Sequence, residues 1–76
     1  MNKQTQLMEY VTQDVVAYLV EDYKIDMVKA MYLFYTSEVY EKLLDEDTEL
    51  YFENSAYIYD LFKYENDNGT FLQNAI

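Results

Sequence analysis

Residues 26–47 read DMVKAMYLFYTSEVYEKLLDED, and this stretch decides the fold class. Its apolar residues recur at steps of three and four positions, which is the spacing of one face of an α-helix. Asp26 is a predicted N-cap, because its carboxylate can accept from the free N–H groups of the following turn. Thr36 or Ser37 offers a second helix start. The pattern therefore predicts two short helices, with one bent helix as the alternative.

The segment before this stretch predicts a longer helix, from about Lys3 to Asp22. Its apolar stripe consists of Met8, Val11, Val15, Tyr18 and Leu19. The chain has no proline, and Gly69 is its only glycine. Helices are therefore free to extend until a capping residue ends them.

The segment after it predicts one more helix. Apolar and polar residues alternate briefly near residues 49–53, which leaves room there for a short extended segment. Ser55 is the predicted cap of a last helix, which carries Tyr57, Ile58, Leu61 and Phe62. The sequence DNG at 67–69 predicts the end of that helix, since Asn and Gly tolerate positive φ angles. We expect residues 66–76 to form a loosely ordered tail.

These patterns together predict an all-α fold. The expected architecture is one small domain that spans residues 1–76 and contains three or four short helices. With 76 residues, such a domain lies near the lower size at which a single core is self-sufficient.

The charge balance limits the classes of partner. Fifteen carboxylates against five lysines give a net charge of −10. Nucleic acids and anionic membranes should repel such a chain, because binding to phosphate depends on basic side chains. Basic proteins should be attracted. No N-terminal apolar run has the length of a signal peptide, so the cytoplasm of a bacterial-type cell is the expected location.

The residue types argue against catalysis and cofactors. Without histidine or cysteine, the chain has no disulfide and no ligand set for structural zinc. The hydroxyls of Thr36, Ser37 and Ser55 already have capping roles. We therefore expect neither an enzyme nor a cofactor-binding protein.

The acidic run that begins at Asp45 invites a calcium interpretation, because hard cations bind clustered carboxylates. An EF-hand loop starting there would need glycine at position 50 and glutamate at position 56. The chain has Leu50 and Ala56 instead. No metal site is expected, and a solvated turn is the simpler interpretation.

The aromatic content points to a contact surface. Ten tyrosines and four phenylalanines are more than a domain of this size can bury. Exposed aromatics beside carboxylates are typical of a surface that binds a basic protein, or a second copy of the chain. The predicted contact residues are Asp45, Glu46, Asp47, Glu49, Tyr51, Tyr57 and Tyr59.

Residues 30–62, AMYLFYTSEVYEKLLDEDTELYFENSAYIYDLF, resemble a group of short uncharacterised bacterial proteins. Their pattern is approximately FY-S- followed by -Y-KL-D-ETGLY-ESP-YVY-L. The matching positions are Phe34, Tyr35, Ser37, Tyr40, Lys42, Leu43, Asp45, Thr48, Leu50, Tyr51, Glu53, Ser55, Tyr57, Tyr59 and Leu61. The chain departs from the pattern at Glu49, where the family has glycine, and at Ala56, where it has proline. These departures predict a somewhat different turn before the last helix.

The resemblance also carries a functional implication. Genes of this family often lie beside predicted ADP-ribosyltransferase-like toxins, which implies an antitoxin-like role. The resulting hypothesis is a non-enzymatic acidic module that masks or regulates a partner protein. One alternative is a DNA mimic that inhibits a nucleic-acid-binding protein and competes with DNA for its site. Another alternative is a self-associating structural module, such as a homodimer.

Overall fold

The computed structural model describes residues 3–68, which form four α-helices. The helices are α1 (Lys3–Tyr23), α2 (Met27–Tyr35), α3 (Glu38–Leu44) and α4 (Ser55–Asn68), with 3₁₀ turns at Glu46–Thr48 and Leu50–Phe52. No β-strand occurs within this part of the chain. The prediction of a small all-α fold is confirmed.

Helix α1 is the centre of the fold and packs against both α2 and α4. Val11, Val15 and Leu19 are buried along one side of it, at the spacing that predicted the helix. Val16 widens the buried stripe, because α2 and α4 cover α1 from two directions. The helix ends at Lys24, whose φ of 57° lies in the left-handed region. The Lys24 N–H still donates to the Val20 carbonyl oxygen at 3.1 Å.

The chain breaks between α2 and α3, so the alternative of one bent helix is wrong. Asp26 caps α2 as predicted, by accepting from the Lys29 N–H at 2.8 Å. Thr36 ends α2, and its hydroxyl donates to the Tyr32 carbonyl oxygen at 2.8 Å. Ser37 then starts α3 in an extended conformation, and its hydroxyl oxygen accepts from the Tyr40 N–H at 3.1 Å.

A carboxylate from a distant helix completes the start of α3. The Glu65 side chain, on α4, accepts from the Glu38 N–H at 2.8 Å and from the Val39 N–H at 3.0 Å. Both donors belong to the first turn of α3, where backbone N–H groups have no partner within the helix. The negative charge also interacts favourably with the helix dipole. Glu65 therefore joins α3 to α4 through hydrogen bonds as well as packing.

The core contains only apolar and aromatic side chains. Its buried residues are Val11, Val15, Val16, Leu19, Ala30, Phe34, Val39, Leu43, Ile58, Tyr59 and Phe62. Phe34 lies at the centre, and its ring centroid is 6.0 Å from that of Phe62 and 5.3 Å from that of Tyr40. No charged side chain is buried between residues 3 and 68.

Two local predictions near the end of the chain need correction. The extended segment near residues 49–53 does not form, because Leu50–Phe52 is a 3₁₀ turn that packs between α1 and α3. Ser55 is not the cap of α4. Asn54 takes that role by accepting from the Tyr57 N–H at 2.8 Å. Helix α4 extends to Asn68, and positions 69–76 of the expected tail lie outside the described residues.

Candidate protein-contact surface

The acidic turn, residues 45–49, links α3 to the second 3₁₀ turn and is held by its own hydrogen bonds. The Thr48 hydroxyl lies 2.6 Å from the Lys42 carbonyl oxygen and 2.9 Å from that of Asp45. The same hydroxyl oxygen accepts from the Leu50 N–H at 3.2 Å. The Asp45 carboxylate accepts from the Asp47 N–H at 2.9 Å. Thr48 and Asp45 therefore fix the backbone that presents the other carboxylates.

Those other carboxylates point into solvent. Glu46, Asp47 and Glu49 are exposed, and their side chains make no ion pair or hydrogen bond with any residue from 3 to 68. Like charges this close repel one another. The turn is therefore a fixed concentration of negative charge that a basic partner can neutralise.

Glu49 occupies a backbone conformation that disfavours most residues. Its φ of 54° and ψ of 22° lie in the left-handed region, which costs an L-residue with a Cβ atom roughly 1–2 kcal/mol. Glycine adopts this conformation without that cost.

Two aromatic residues adjoin the acidic turn. Tyr51 is half-buried and Phe52 is 64 % exposed, and their ring centroids lie 4.7 Å apart. They form one wall of an open groove of about 510 Å³. Leu7 and Tyr10 of α1 belong to the opposite wall. The structure thus places an aromatic groove directly after the acidic turn.

Beside this groove, a hydrogen bond ties α1 to the start of α4. The Ser55 hydroxyl donates to the Asp14 carboxylate at 2.6 Å, and both residues line the groove. Ser55, predicted as a helix cap, therefore joins two helices instead. This bond holds the Asn54 end of α4 against α1.

Of the predicted tyrosines, Tyr51 lies at the groove and Tyr57 does not line it. Tyr57 is 46 % exposed on α4. The prediction that Tyr59 is a contact residue is wrong, because Tyr59 is only 6 % exposed and belongs to the core. Its hydroxyl donates to the Asp22 carboxylate at 2.7 Å, and its ring stacks 5.1 Å from that of Tyr18.

We expect Tyr59 to make stability fall at alkaline pH. Burial and the hydrogen bond to Asp22 raise the pKa of Tyr59 well above the ordinary tyrosine value of 10.0. Below the unfolded-state pKa, both states keep the proton and the stability is complete. As the pH rises from the unfolded-state pKa towards the higher folded-state pKa, the unfolded state loses its proton first and the stability falls. Urea midpoints measured from pH 8 upward should therefore decline beyond about pH 10. Tyr59→Phe should flatten that decline, and an unchanged slope would contradict the assignment.

Sequence reasoning missed two members of the surface, Phe52 and Glu53. Phe52 lies in the segment 49–53 whose alternation predicted an extended conformation, and in the observed 3₁₀ turn its side chain is exposed. Glu53 is exposed and lines the same groove. The succession of the acidic run, two aromatics and a further acid was the available signal.

The surface offers no arrangement for metal chemistry. Between residues 3 and 68, no group of three or more carboxylates is placed so that it could hold a metal ion. None of the helices in this range is long and apolar enough to cross a membrane.

No family model, curated protein or solved structure matches the chain. The geometry of the surface and the resemblance of residues 30–62 are therefore the grounds for a functional proposal.

Proposed function

We propose that this chain is a non-enzymatic binding protein that masks or regulates a basic partner protein, in the manner of an antitoxin. The observation that supports this most directly is the acidic turn itself. Thr48 fixes its backbone, while Glu46, Asp47 and Glu49 stay exposed without a partner among the described residues.

Charge and aromatic surface have separate roles in the proposed contact. The carboxylates attract a basic partner and orient it, which raises the association rate. The rings of Tyr51 and Phe52 supply apolar contact area once the partner has docked. Because the turn is already fixed, little conformational entropy is lost when it binds.

The antitoxin-like assignment rests on the resemblance rather than on the geometry. Residues 30–62 contain the whole acidic turn and the start of α4. The resembling proteins are often encoded beside predicted toxins, so a neighbouring toxin is the concrete candidate for the basic partner. The masking role requires that this partner loses its activity when it is bound.

A tagged capture experiment from native lysate tests the proposal. The full chain is immobilised, and bound proteins are identified at low and at high salt. We expect one stoichiometric basic protein that is released at high salt, because salt screens exposed charges. A captured protein that can bind DNA at the same time as this chain would contradict the DNA-mimic alternative.

Two amide variants of equal net charge show whether the acidic turn carries the contact. The acidic-turn variant combines Asp45→Asn, Glu46→Gln, Asp47→Asn and Glu49→Gln. The remote-acid variant combines Glu9→Gln, Glu21→Gln, Asp60→Asn and Asp67→Asn, all at exposed positions. Asp45→Asn keeps a side-chain oxygen that can accept from the Asp47 N–H, so the turn should stay folded.

We expect the acidic-turn variant to bind the partner with an affinity that is lower by roughly tenfold or more, because several charge pairs are removed together. The remote-acid variant should retain most of the binding. Equal capture by both variants and the unaltered chain would overturn the proposal.

A further inference from the structure

Helix α2 has a second apolar side that the fold leaves uncovered. One side of the helix, which contains Ala30 and Phe34, is buried. We define the α2 face as the adjoining side, which contains Met27, Val28, Met31, Tyr32 and Tyr35. At 100° per residue these positions form one continuous stripe along the helix. Most of the stripe is exposed, with 62 % exposure at Met27, 75 % at Val28 and 65 % at Tyr32.

The α2 face combines a ridge with a groove. Val28 and Tyr32 form the ridge. Beside them, Met27, Met31 and Tyr35 form one wall of a groove of about 350 Å³. The other wall is the side of α1 that contains Thr12, Gln13, Val16 and Ala17. None of the residues that line this groove is charged.

This is also the part of the chain that lacks carboxylates. Residues 27–37 form the longest stretch without Asp or Glu in a chain of net charge −10. The only charged side chain within it is that of Lys29. Two copies of so acidic a protein repel each other wherever their carboxylates meet. The α2 face is therefore a place where two copies can meet without bringing carboxylates of this stretch together, so the repulsion is weaker there.

We propose that the α2 face is the interface of a symmetric homodimer. In a two-fold arrangement each copy presents the same patch, so the Val28–Tyr32 ridge of one copy can enter the groove of the other. An anionic membrane does not fit the face, because the rest of the chain would be repelled by it. This inference is independent of the proposed function, which uses the acidic turn.

The area of the face is sufficient for a weak, specific dimer. With roughly 200 Å² for a large side chain, the exposed fractions of Met27, Val28, Tyr32 and Tyr35 amount to roughly 500 Å² per copy. Two copies would bury roughly 1,000 Å², which is the lower limit for a specific interface. We therefore expect the dissociation constant to lie roughly in the micromolar range or above.

Sedimentation equilibrium of the full chain tests the dimer. The protein concentration should run from roughly 10 µM to 1 mM, a range that includes the expected dissociation constant. The dimer fraction should rise with concentration. It should also rise with salt, since salt screens the repulsion between two acidic copies. Binding of a basic partner to the acidic turn should weaken with salt, so the two proposals can fail separately. A chain that stays monomeric at 1 mM and high salt overturns the dimer.

Val28→Asp is the decisive variant. Val28 lies in the first turn of α2, where an acidic residue interacts favourably with the helix dipole, so the monomer should remain folded. The substitution places like charges at the interface and should raise the dimer dissociation constant roughly tenfold or more. Circular dichroism confirms that the helices are retained.

Phe52→Asp is the matched control, because it replaces an exposed apolar residue and adds the same charge away from α2. Distant sites act independently, so its dimer constant should stay within roughly twofold of that of the unaltered chain. If Phe52→Asp weakens the dimer as much as Val28→Asp does, the assignment to the α2 face is wrong.

Discussion

Phe34→Ala is expected to remove a large part of the protein's free energy of unfolding. Phe34 is fully buried, and its ring contacts those of Phe62 and Tyr40. Truncating a buried phenylalanine costs about 3–5 kcal/mol, because packing contacts are lost and a cavity remains. A domain of this size has a total stability of only about 4–11 kcal/mol. Urea denaturation followed by circular dichroism measures the loss.

Tyr32→Ala is the control for this prediction. Tyr32 lies on the same helix, yet it is 65 % exposed, so its removal should change monomer stability by less than about 1 kcal/mol. The comparison is made at low protein concentration, where a dimer does not contribute. Equal losses in the two variants would contradict the placement of Phe34 at the centre of the core.

Glu65→Ala is expected to cost about 1–2 kcal/mol, through the loss of the side-chain cap of α3. The two hydrogen bonds of 2.8 and 3.0 Å to the Glu38 and Val39 N–H groups disappear together. The melting temperature should fall by several degrees, since about 1 kcal/mol corresponds to about 4–8 °C in a small domain. In native-state hydrogen exchange, the substitution should accelerate exchange more in α3 than in the other helices.

Asp67→Ala supplies the comparison for Glu65, because Asp67 is an exposed carboxylate on the same helix. It lies near the C-terminal end of α4, where a negative charge is unfavourable. We expect it to leave stability unchanged or slightly higher. If both variants lose the same stability, net charge rather than capping would explain the effect.

The helices and their order follow from local rules in the sequence. Asp26 caps α2 because its carboxylate reaches the N–H group three residues on, a contact that depends only on neighbours. The buried side of α1 also follows from local spacing, because Val11, Val15 and Leu19 recur every four residues. Local spacing could not give the contact of Glu65 with α3, since 27 positions separate Glu38 from Glu65.

The exposure of the aromatic residues was harder to predict, because it depends on which side of each helix is covered. The apolar residues of α2 share one helical spacing, yet Phe34 is buried whereas Met27, Val28, Tyr32 and Tyr35 are exposed. Tyr59 shows the opposite case. It was grouped with the surface residues by composition, and the packing of α4 on α1 buries it.

The acidic run predicted a turn at residues 45–49, but not the hydrogen bonds that hold it. Thr48 accounts for the difference, since its hydroxyl contacts the Lys42 and Asp45 carbonyl oxygens and accepts from the Leu50 N–H. A threonine within an acidic run carries no distinctive spacing signal.

The central claim is that the acidic turn recruits a basic protein partner. Its most direct test is the association rate with the captured partner, measured by stopped flow over a range of ionic strengths. We expect the rate for the unaltered chain to fall steeply with salt. The acidic-turn variant should associate more slowly and with a shallower salt dependence, whereas the remote-acid variant should stay close to the unaltered chain. Equal rates and equal salt dependences for the two variants would contradict the account.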